Sequence, residues 1–485
     1  MIPLTLAEVA AATGGRTHRA EGAEVVTGTV EFDSRQVGPG GLFVALPGER
    51  VDGHDYAATA LARGAVAVLA AREVDGPAVI VPPAGDAHER SVALTGDTDG
   101  SGAAVLAGLA ALARTVVDRL AAGGLTVVGV TGSSGKTSTK DLIAQVLEPM
   151  GATVAPPGSF NNELGHPWTA LRADAGTRHL VLELSARGPG HIRALCETAP
   201  PRIGVVLNVG SAHLGEFGSR EGIARTKGEL AEALPADGVA VLNADDPLVA
   251  AMAERTNARV VLVGQSERAD VRAVDVTLDD HARATFTLVT AAGTVPVTLA
   301  LHGGHHVGNA LSAAAVALEL GAGPDEVARR LGAARRRSER RMDVTTRADG
   351  VTVVNDSYNA NPESVGAALR TLARMADGGQ RRTWAVLGVM GELGDSGEEE
   401  HEGVGRLAAR VGVDRVVAVD EQAGGIERGA RLEGFDGEEP VLVPDVHAAI
   451  ALLTEQLRPG DVVLVKASKV AALWRVADAL LEAGE

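Results

Sequence analysis

A chain of 485 residues is long enough for about three domains, and an apolar content of 45% with 2% aromatics means that its cores must be built from Val, Leu and Ala. The net charge of −18 argues against general nucleic-acid binding, which needs a basic footprint. The single cysteine, Cys196, excludes a disulfide within the chain and a cysteine-based zinc site.

A reducing, cytoplasmic setting fits that cysteine usage, with Cys196 expected to be a small buried residue rather than a nucleophile. No basic residue precedes Arg16 and no long apolar run opens the chain, so no signal peptide is expected. The longest apolar stretch, Ala103 to Ala113, is too short to span a bilayer, and no membrane insertion is expected. An anionic ligand would need a local cationic site.

Residues 1–122 read as an N-terminal α/β domain. Thr5 is placed to cap a helix from Leu6 to Ala12, ended by Gly14-Gly15. Leu42 to Leu46 reads as a strand bracketed by turns, followed by a helix from Tyr56 to Arg63 and a strand from Ala65 to Leu69. Before them, Asp33-Ser34-Arg35 sets a hydroxyl and a cation beside a turn, which is either a grip on a phosphorylated ligand or a solvated turn. Gly96 to Gly102 reads as a flexible loop, and a helix from Ala103 to Leu120 leads to a Gly123-Gly124 hinge.

Residues 123–335 read as a P-loop-type ATPase domain with a mostly parallel sheet. Leu125 to Val130 is a β-branched strand; Thr131, Gly132, Ser133, Ser134 and Gly135 form a turn; Lys136 to Leu147 carries apolar residues at helical spacing. Backbone N–H groups of such a loop and the helix N-terminus suit phosphate, with Lys136 reaching the β- and γ-phosphates and the Thr137 hydroxyl on Mg²⁺. The strict G-x-x-x-x-G-K-[ST] pattern fails, since Val130 stands where the first glycine belongs; the motif present is T-G-x-x-G-K-T. Two buried strands follow, one ending in Glu183, the other in Asn208 with His213 beyond it. In open α/β sheets ligands sit at the carboxyl ends of strands, so Lys136, Thr137, Glu183 and His213 are expected on one edge. Lys227 lies on a helical stretch, by default as a solvated lysine. Residues 270–301 read as a β-ribbon turning at Ala291-Ala292-Gly293. Asn309 opens a helix from Ala310 to Leu320, as a cap or as a donor to a base.

Residues 336–485 read as a Rossmann-like, doubly wound domain. The run Arg335 to Arg341 is a basic linker, either solvated or screening phosphate charge. Strands at 351–355, 383–387, 415–419 and 461–465 alternate with helices at 362–375, 398–409, 446–457 and 470–481. Three loops follow strand ends and face one cleft: Asn355 to Pro362, Leu387 to Gly394, and Lys466 to Lys469. A nucleotide domain flanked by two substrate domains suggests a ligase using two substrates and ATP.

With those motifs in place, the whole chain resembles the Mur ligases, and among them the type that adds D-alanyl-D-alanine to UDP-N-acetylmuramoyl-tripeptide. The landmarks are Asp33-Ser34-Arg35, Gly40 to Gly53, Thr131 to Thr137, Asn161 to Gly165, Glu183, Asn208 with His213, Lys227-Gly228-Glu229, Asn309-Ala310-Leu311, Arg341-Met342, Asp356 to Pro362, and Leu387 to Gly394. The Asp-Ser-Tyr-Asn-Ala-Asn-Pro loop is the most specific; an Asp-Asn-Pro-Arg signature typical of the tripeptide-forming ligase is absent.

The resemblance implies roles. Lys136, His213 and Lys227 are catalytic. Thr131 to Thr137, Asn309, Arg341 and Asp356 contact ATP. Thr137 and Glu183 hold a first Mg²⁺, and His213 and Lys227 serve a second. Lys227 is expected as a carbamylated, CO₂-derived ligand. Ser34, Arg35, Asn161, Asn162, Tyr358, Asn359 and Asn361 meet the two substrates, the first domain holding the UDP part and the third closing over the dipeptide. The chain is expected to act as a cytoplasmic monomer. The family usually carries Gly before the linker arginine where this chain has Arg340, which puts the hinge geometry in question, and Ser185 to Gly190 departs from the common pattern after the metal glutamate. A folylpolyglutamate synthase-like ligase, which would not need a UDP-gripping domain, and a P-loop ATPase without ligase activity are the competing readings.

Overall fold

The computed structural model describes residues 1–48, 51–83, 97, 99–210, 214–434 and 437–483. His213, and Gly96 and Thr98 of the expected Gly96–Gly102 loop, lie outside the described residues. The architecture is α/β and is built on three main sheets.

The first sheet has five strands in the order Arg16–His18, Ala78–Ile80, Ala67–Ala70, Leu42–Val44, Val30–Glu31, parallel except at its first pair. Beside it, the helix Leu6–Thr13 starts in a full capping box. The Thr5 side chain accepts from the Glu8 N–H, the Glu8 carboxylate accepts from the Thr5 N–H, and left-handed Gly14 ends the helix. The helix Ser101–Ala122 buries its apolar stripe against both the first domain and the next one.

The second sheet has nine strands. Its parallel part runs Val271–Leu278, Arg259–Gly264, Val239–Asn243, Ile203–Val206, Thr126–Thr131, His179–Glu183, Thr153–Val154. After Thr126–Thr131 the chain passes to one side of that strand and then returns on the other side at Ile203–Val206. This reversal opens a crevice at the carboxyl ends of the three middle strands. The expected 270–301 ribbon is a three-stranded meander, Val271–Leu278, Arg283–Thr290 and Gly293–His302, because residues 279–282 form a second turn closed by Asp279.

The third sheet has six strands in the order Asp343–Thr346, Thr352–Asn355, Val462–Lys466, Thr383–Leu387, Arg415–Val419, Val441–Val443, antiparallel only at its first pair. The edge strands Asp343–Thr346 and Val441–Val443 and the helix Gly424–Glu433 were not expected from the sequence. That helix carries several glycines, which lower helix propensity. They are there for packing: a Cβ on Gly405 or Gly429 would collide with the carbonyl oxygens of Ile426 and Glu402, where two helices lie backbone to backbone. The last helix starts at Trp474 rather than Val470, because Lys469–Ala471 forms a separate turn ended by left-handed Ala472.

Few aromatic residues exist, and three of them meet at one junction. Phe32, Phe160 and Trp168 have ring centroids 4.8 to 6.3 Å apart, and the Trp168 indole donates to Glu31 at 3.2 Å. This cluster ties the turn after Phe32, with Ser34 and Arg35, to the segment carrying Asn161.

Candidate active site

The strand Thr126–Thr131 is buried along most of its length, and the loop after it is shaped by close approach. Gly135 has φ of 80°, and a Cβ there would stand 2.9 Å from Asn309 Oδ1; a Cβ on Gly132 would stand 2.9 Å from Leu207. Asn208 buttresses the loop: its Oδ1 accepts from the Ser134 N–H at 2.9 Å and its Nδ2 donates to the Ser134 carbonyl at 3.2 Å. The Ser133 hydroxyl accepts from the Gly210 N–H at 2.9 Å. Thr131 is buried and its hydroxyl donates to the Leu184 carbonyl at 2.9 Å, so its side chain anchors the loop to the neighbouring strand.

Lys136 opens the helix Lys136–Leu147 and donates to the Gly132 carbonyl at 2.8 Å. Desolvation lowers its pKa from the ordinary lysine range, opposed by the Glu183 carboxylate and reinforced by Arg341. Thr137 Oγ1 donates to Glu183 Oε2 at 3.0 Å and lies 2.8 Å from Ser159 Oγ. Asn161 Nδ2 donates to the other Glu183 oxygen at 2.8 Å. A hydroxyl and a buried carboxylate side by side are hard oxygen donors, and Mg²⁺ takes few such protein ligands beside phosphate and water. The residues present fit that ion.

A cleft of about 580 Å³ opens here between the second and third sheets. Ser133, Ser134, Gly135, Lys136, Thr137, Asn161, Asn162, Glu183, Asn309, Arg341, Asp356, Tyr358, Asn359 and Asn361 all line it. Asn309 is an interior residue of the helix His306–Glu319 rather than its start, because the Gly303-Gly304 turn lets the helix begin earlier; its Nδ2 lies 3.3 Å from His306 Nδ1. Asn361 caps the helix Pro362–Met375 by accepting from the Ser364 N–H, and its Nδ2 reaches the Ser133 carbonyl at 3.2 Å, tying the third sheet's loop to the phosphate loop. Asp356 accepts from the Met342 N–H at 3.0 Å and from Lys466 Nζ at 2.6 Å. The sequence placed the Lys466 to Lys469 loop on the cleft without giving Lys466 a role, and it gave no signal for Ser159.

The basic linker does not screen phosphate as a block. Arg337 forks onto Glu148, Arg336 pairs with Asp343, Arg335 donates to nearby carbonyls, and Arg340 lies over the Trp474 ring at 4.4 Å. Arg341 alone of the run reaches the cleft, donating toward Thr137 Oγ1 at 3.3 Å with its guanidinium 4.1 Å from the Tyr358 ring.

Thr131 and Gly132, also expected to contact ATP, lie behind the lining, with Thr131 turned to Leu184, and two further predicted groups stand outside it. Arg35 folds back on Asp33 with two 2.9 Å bonds, holding that carboxyl down at about 2, while its side chain stays 84% exposed beside buried Ser34. Lys227 is not a solvated helix lysine. It is only 5% exposed in the helix Arg220–Glu232 and has no hydrogen-bond or ion-pair partner among the described residues. Desolvation, with Lys136 adding to it, pushes its pKa well below the ordinary 10.5. Cys196 is buried and its thiol is pushed up to about 12 by desolvation, which leaves it inert.

Comparison with known proteins bears on this arrangement. Residues 130–317 match the Mur ligase middle domain, residues 340–469 the Mur ligase glutamate ligase domain, and residues 27–94 the Mur ligase family catalytic domain. The UDP-N-acetylmuramoyl-tripeptide--D-alanyl-D-alanine ligase of Mycobacterium tuberculosis is 56% identical over 500 aligned residues, covering 99% of this chain and 98% of that protein. The chain belongs to the Mur ligase family. The Escherichia coli protein of the same name is 34% identical and covered end to end. Among solved structures, MurF from Acinetobacter baumannii superposes with a TM-score of 0.84 at 29% identity over 99% of both chains. MurF ligase from Thermotoga maritima in complex with ADP superposes with a TM-score of 0.78 at 30% identity, covering 94% of this chain and 98% of that one. The Mur ligase architecture of N-terminal, central ATPase and C-terminal parts is therefore the architecture of this chain, and the cleft lies between its second and third sheets.

Proposed function

We propose that this Mur ligase joins D-alanyl-D-alanine to UDP-N-acetylmuramoyl-tripeptide at the expense of ATP, forming ADP, phosphate and an amide. The observation that carries the reading is the single cleft walled on one side by Lys136, Thr137 and Glu183 and on the other by Asp356, Tyr358 and Asn361. The substrate pair comes from the relatives named above, which share the whole length of the chain.

A carboxylate is a poor acyl donor, because amine attack would have to expel oxide. The tripeptide carboxylate therefore attacks the γ-phosphorus of ATP; the new O–P bond forms as the bond to the β-phosphate oxygen breaks and ADP leaves. The free amine of the dipeptide then attacks the carbonyl carbon, a tetrahedral adduct collapses, phosphate departs and the amine proton is lost. Lys136 and Arg341 bring positive charge to the point where two anions approach. A bound triphosphate draws Lys136 back to its charged form, since an adjacent anion favours the ammonium. Mg²⁺ held by Thr137 and Glu183 would neutralise phosphate charge when bound. Ser34 and Arg35 are assigned to the UDP part, and Asn162, Tyr358 and Asn359 to the peptide side.

Lys227 supports a further assignment within this reading. Burial that lowers the lysine pKa favours the free amine, and only a free amine adds CO₂, losing one proton to give a carbamate. That converts a neutral amine into an anion near Lys136, a group that would suit a second Mg²⁺, the role the resemblance gives it together with His213. A monomer working in the cytoplasm, where ATP is available, completes this reading.

The test is phosphate release with the full chain. Release that requires ATP, the UDP-muramoyl tripeptide and D-alanyl-D-alanine together supports the reading. Release that proceeds without either acceptor overturns it in favour of a simple ATPase. Tripeptides differing at the third position then define the preferred diamino acid.

A further inference from the structure

Behind the phosphate loop lies a second, buried polar chain that the reaction does not use. Lys140, one turn after Lys136 on the same helix, is 1% exposed. Its ammonium donates to Asp141 Oδ1 at 2.5 Å and to the Pro156 carbonyl at 2.8 Å. The other Asp141 oxygen accepts from Ser338 Oγ at 2.6 Å, and Ser338 is itself 8% exposed in the linker. Both arms end beside the cleft. Three residues past Pro156 stands Ser159, whose hydroxyl meets Thr137 Oγ1. Three residues past Ser338 stands Arg341, which donates toward Thr137 Oγ1 and Ser159 Oγ.

The linker between them does not hold itself. Arg340 and Met342 have φ of 58° and 51°, a left-handed backbone that side chains other than glycine adopt only under constraint. The surroundings supply the constraint. Downstream, the Met342 N–H is fixed by Asp356 and the Arg340 guanidinium by Trp474. Upstream, Arg335 exchanges two backbone bonds with Gln145, Arg336 pairs with Asp343 and the Arg337–Glu148 pair is exposed, so Ser338–Asp141 is the buried anchor nearest to Arg341. Removing one partner of such a buried ionic group would leave the other uncompensated.

We propose that Asp141, braced by Lys140, is a positioning residue that fixes the linker through Ser338 and thereby holds the Arg341 guanidinium over Thr137 for nucleotide binding. The proposal rests on the nucleotide reading of the cleft. It makes Ser338, which lies away from the phosphate loop, a determinant of ATP affinity that acts only through Arg341.

The experiment is a double-mutant cycle read by calorimetric titration of the full chain with Mg·ADP, which needs no peptide substrate. Ser338→Ala is expected to weaken ADP binding about five- to tenfold, the scale of one buried hydrogen bond. It is expected to have no effect, within twofold, in the Arg341→Ala background. Asp141→Asn is expected to follow the same pattern, and Ser338→Thr, which keeps the hydroxyl, to restore wild-type affinity. In turnover, the change is expected in the KM for ATP with kcat preserved, whereas mere loss of folded protein lowers kcat and leaves KM alone. An equal weakening in both backgrounds, or no weakening by Ser338→Ala in a chain of unchanged melting temperature, overturns the proposal. A wild-type chain that binds no ADP overturns the nucleotide reading instead, so the two failures are distinct.

Discussion

Lys466 and Lys227 are both buried lysines near the nucleotide cleft, and they are treated in opposite ways. Lys466 is 2% exposed and saturated: Asp356 Oδ2 at 2.6 Å, the Asn359 carbonyl at 2.9 Å and the Asp356 carbonyl at 3.4 Å. Desolvation lowers its pKa, and the Asp356 carboxylate pulls it back. Lys227 is as deeply buried, yet among the described residues it has no partner, and the charge that bears on it is another cation, Lys136. A charge removed from water without compensation costs several kcal/mol, so a protein either pairs it or keeps it neutral. Lys466 is the first case and reads as a strut holding the Asp356 loop. Lys227 is the second, its amine pushed toward the neutral form by burial and by Lys136.

The contrast breaks most readily at the paired site. Asp356→Ala leaves Lys466 buried without its carboxylate, and is expected to cost about 3–5 kcal/mol of stability. Denaturant unfolding measures it. A loss under about 1 kcal/mol would mean that the pair contributes nothing net. At the unpaired site the expected damage falls on activity instead. Lys227→Ala should lower kcat by about 10²–10³-fold, the usual scale for deleting one group that stabilises transition-state charge. A small carboxylic acid added to that variant should restore part of the rate, by supplying the missing anion. Full activity in Lys227→Ala would remove this lysine from the mechanism.

The sequence alone disclosed the parts of the site that are local. Thr131 to Thr137 declare a strand, a glycine loop and a helix within a dozen residues, and Glu183 ends a strand whose apolar run is unmistakable. Where meaning depends on distant pairing, the chain was silent. Asn361 reads as one polar residue in a polar loop, yet it ties that loop to Ser133 across 228 residues of sequence. Lys466 looks like any lysine at a strand end until Asp356 is seen beside it. The arginine run was open to two readings because charge composition does not say which acid each arginine will meet; Glu148 and Asp343 take two of them. Arg340 stands where the family usually has Gly, and it accepts the left-handed backbone because Trp474 receives its guanidinium and Asp478 lies 4.0 Å away. Helix Gly424–Glu433 was hidden for the opposite reason, since its glycines serve a neighbour rather than the helix itself.

The smallest effect is the most diagnostic of the unpaired lysine. Because the folded-state pKa of Lys227 lies well below the ordinary 10.5, the unfolded chain binds a proton there that the folded chain does not. Stability then rises with pH throughout the window between the two values, and the penalty for burying the amine is greatest at the acidic side. Lys227→Met keeps the volume and removes the amine. In CO₂-free buffer the variant should therefore be more stable than the parent at pH 7, with an advantage that shrinks steadily toward pH 10. Lys466→Met, losing a paired cation and stranding Asp356, should show no such gain. Bicarbonate added at pH 8 should raise the melting temperature of the parent and leave Lys227→Met unmoved, because the free amine is what reacts. A Lys227→Met advantage that stays constant from pH 7 to pH 10 would show that the lysine is charged in the fold, and would erase the distinction between the two lysines.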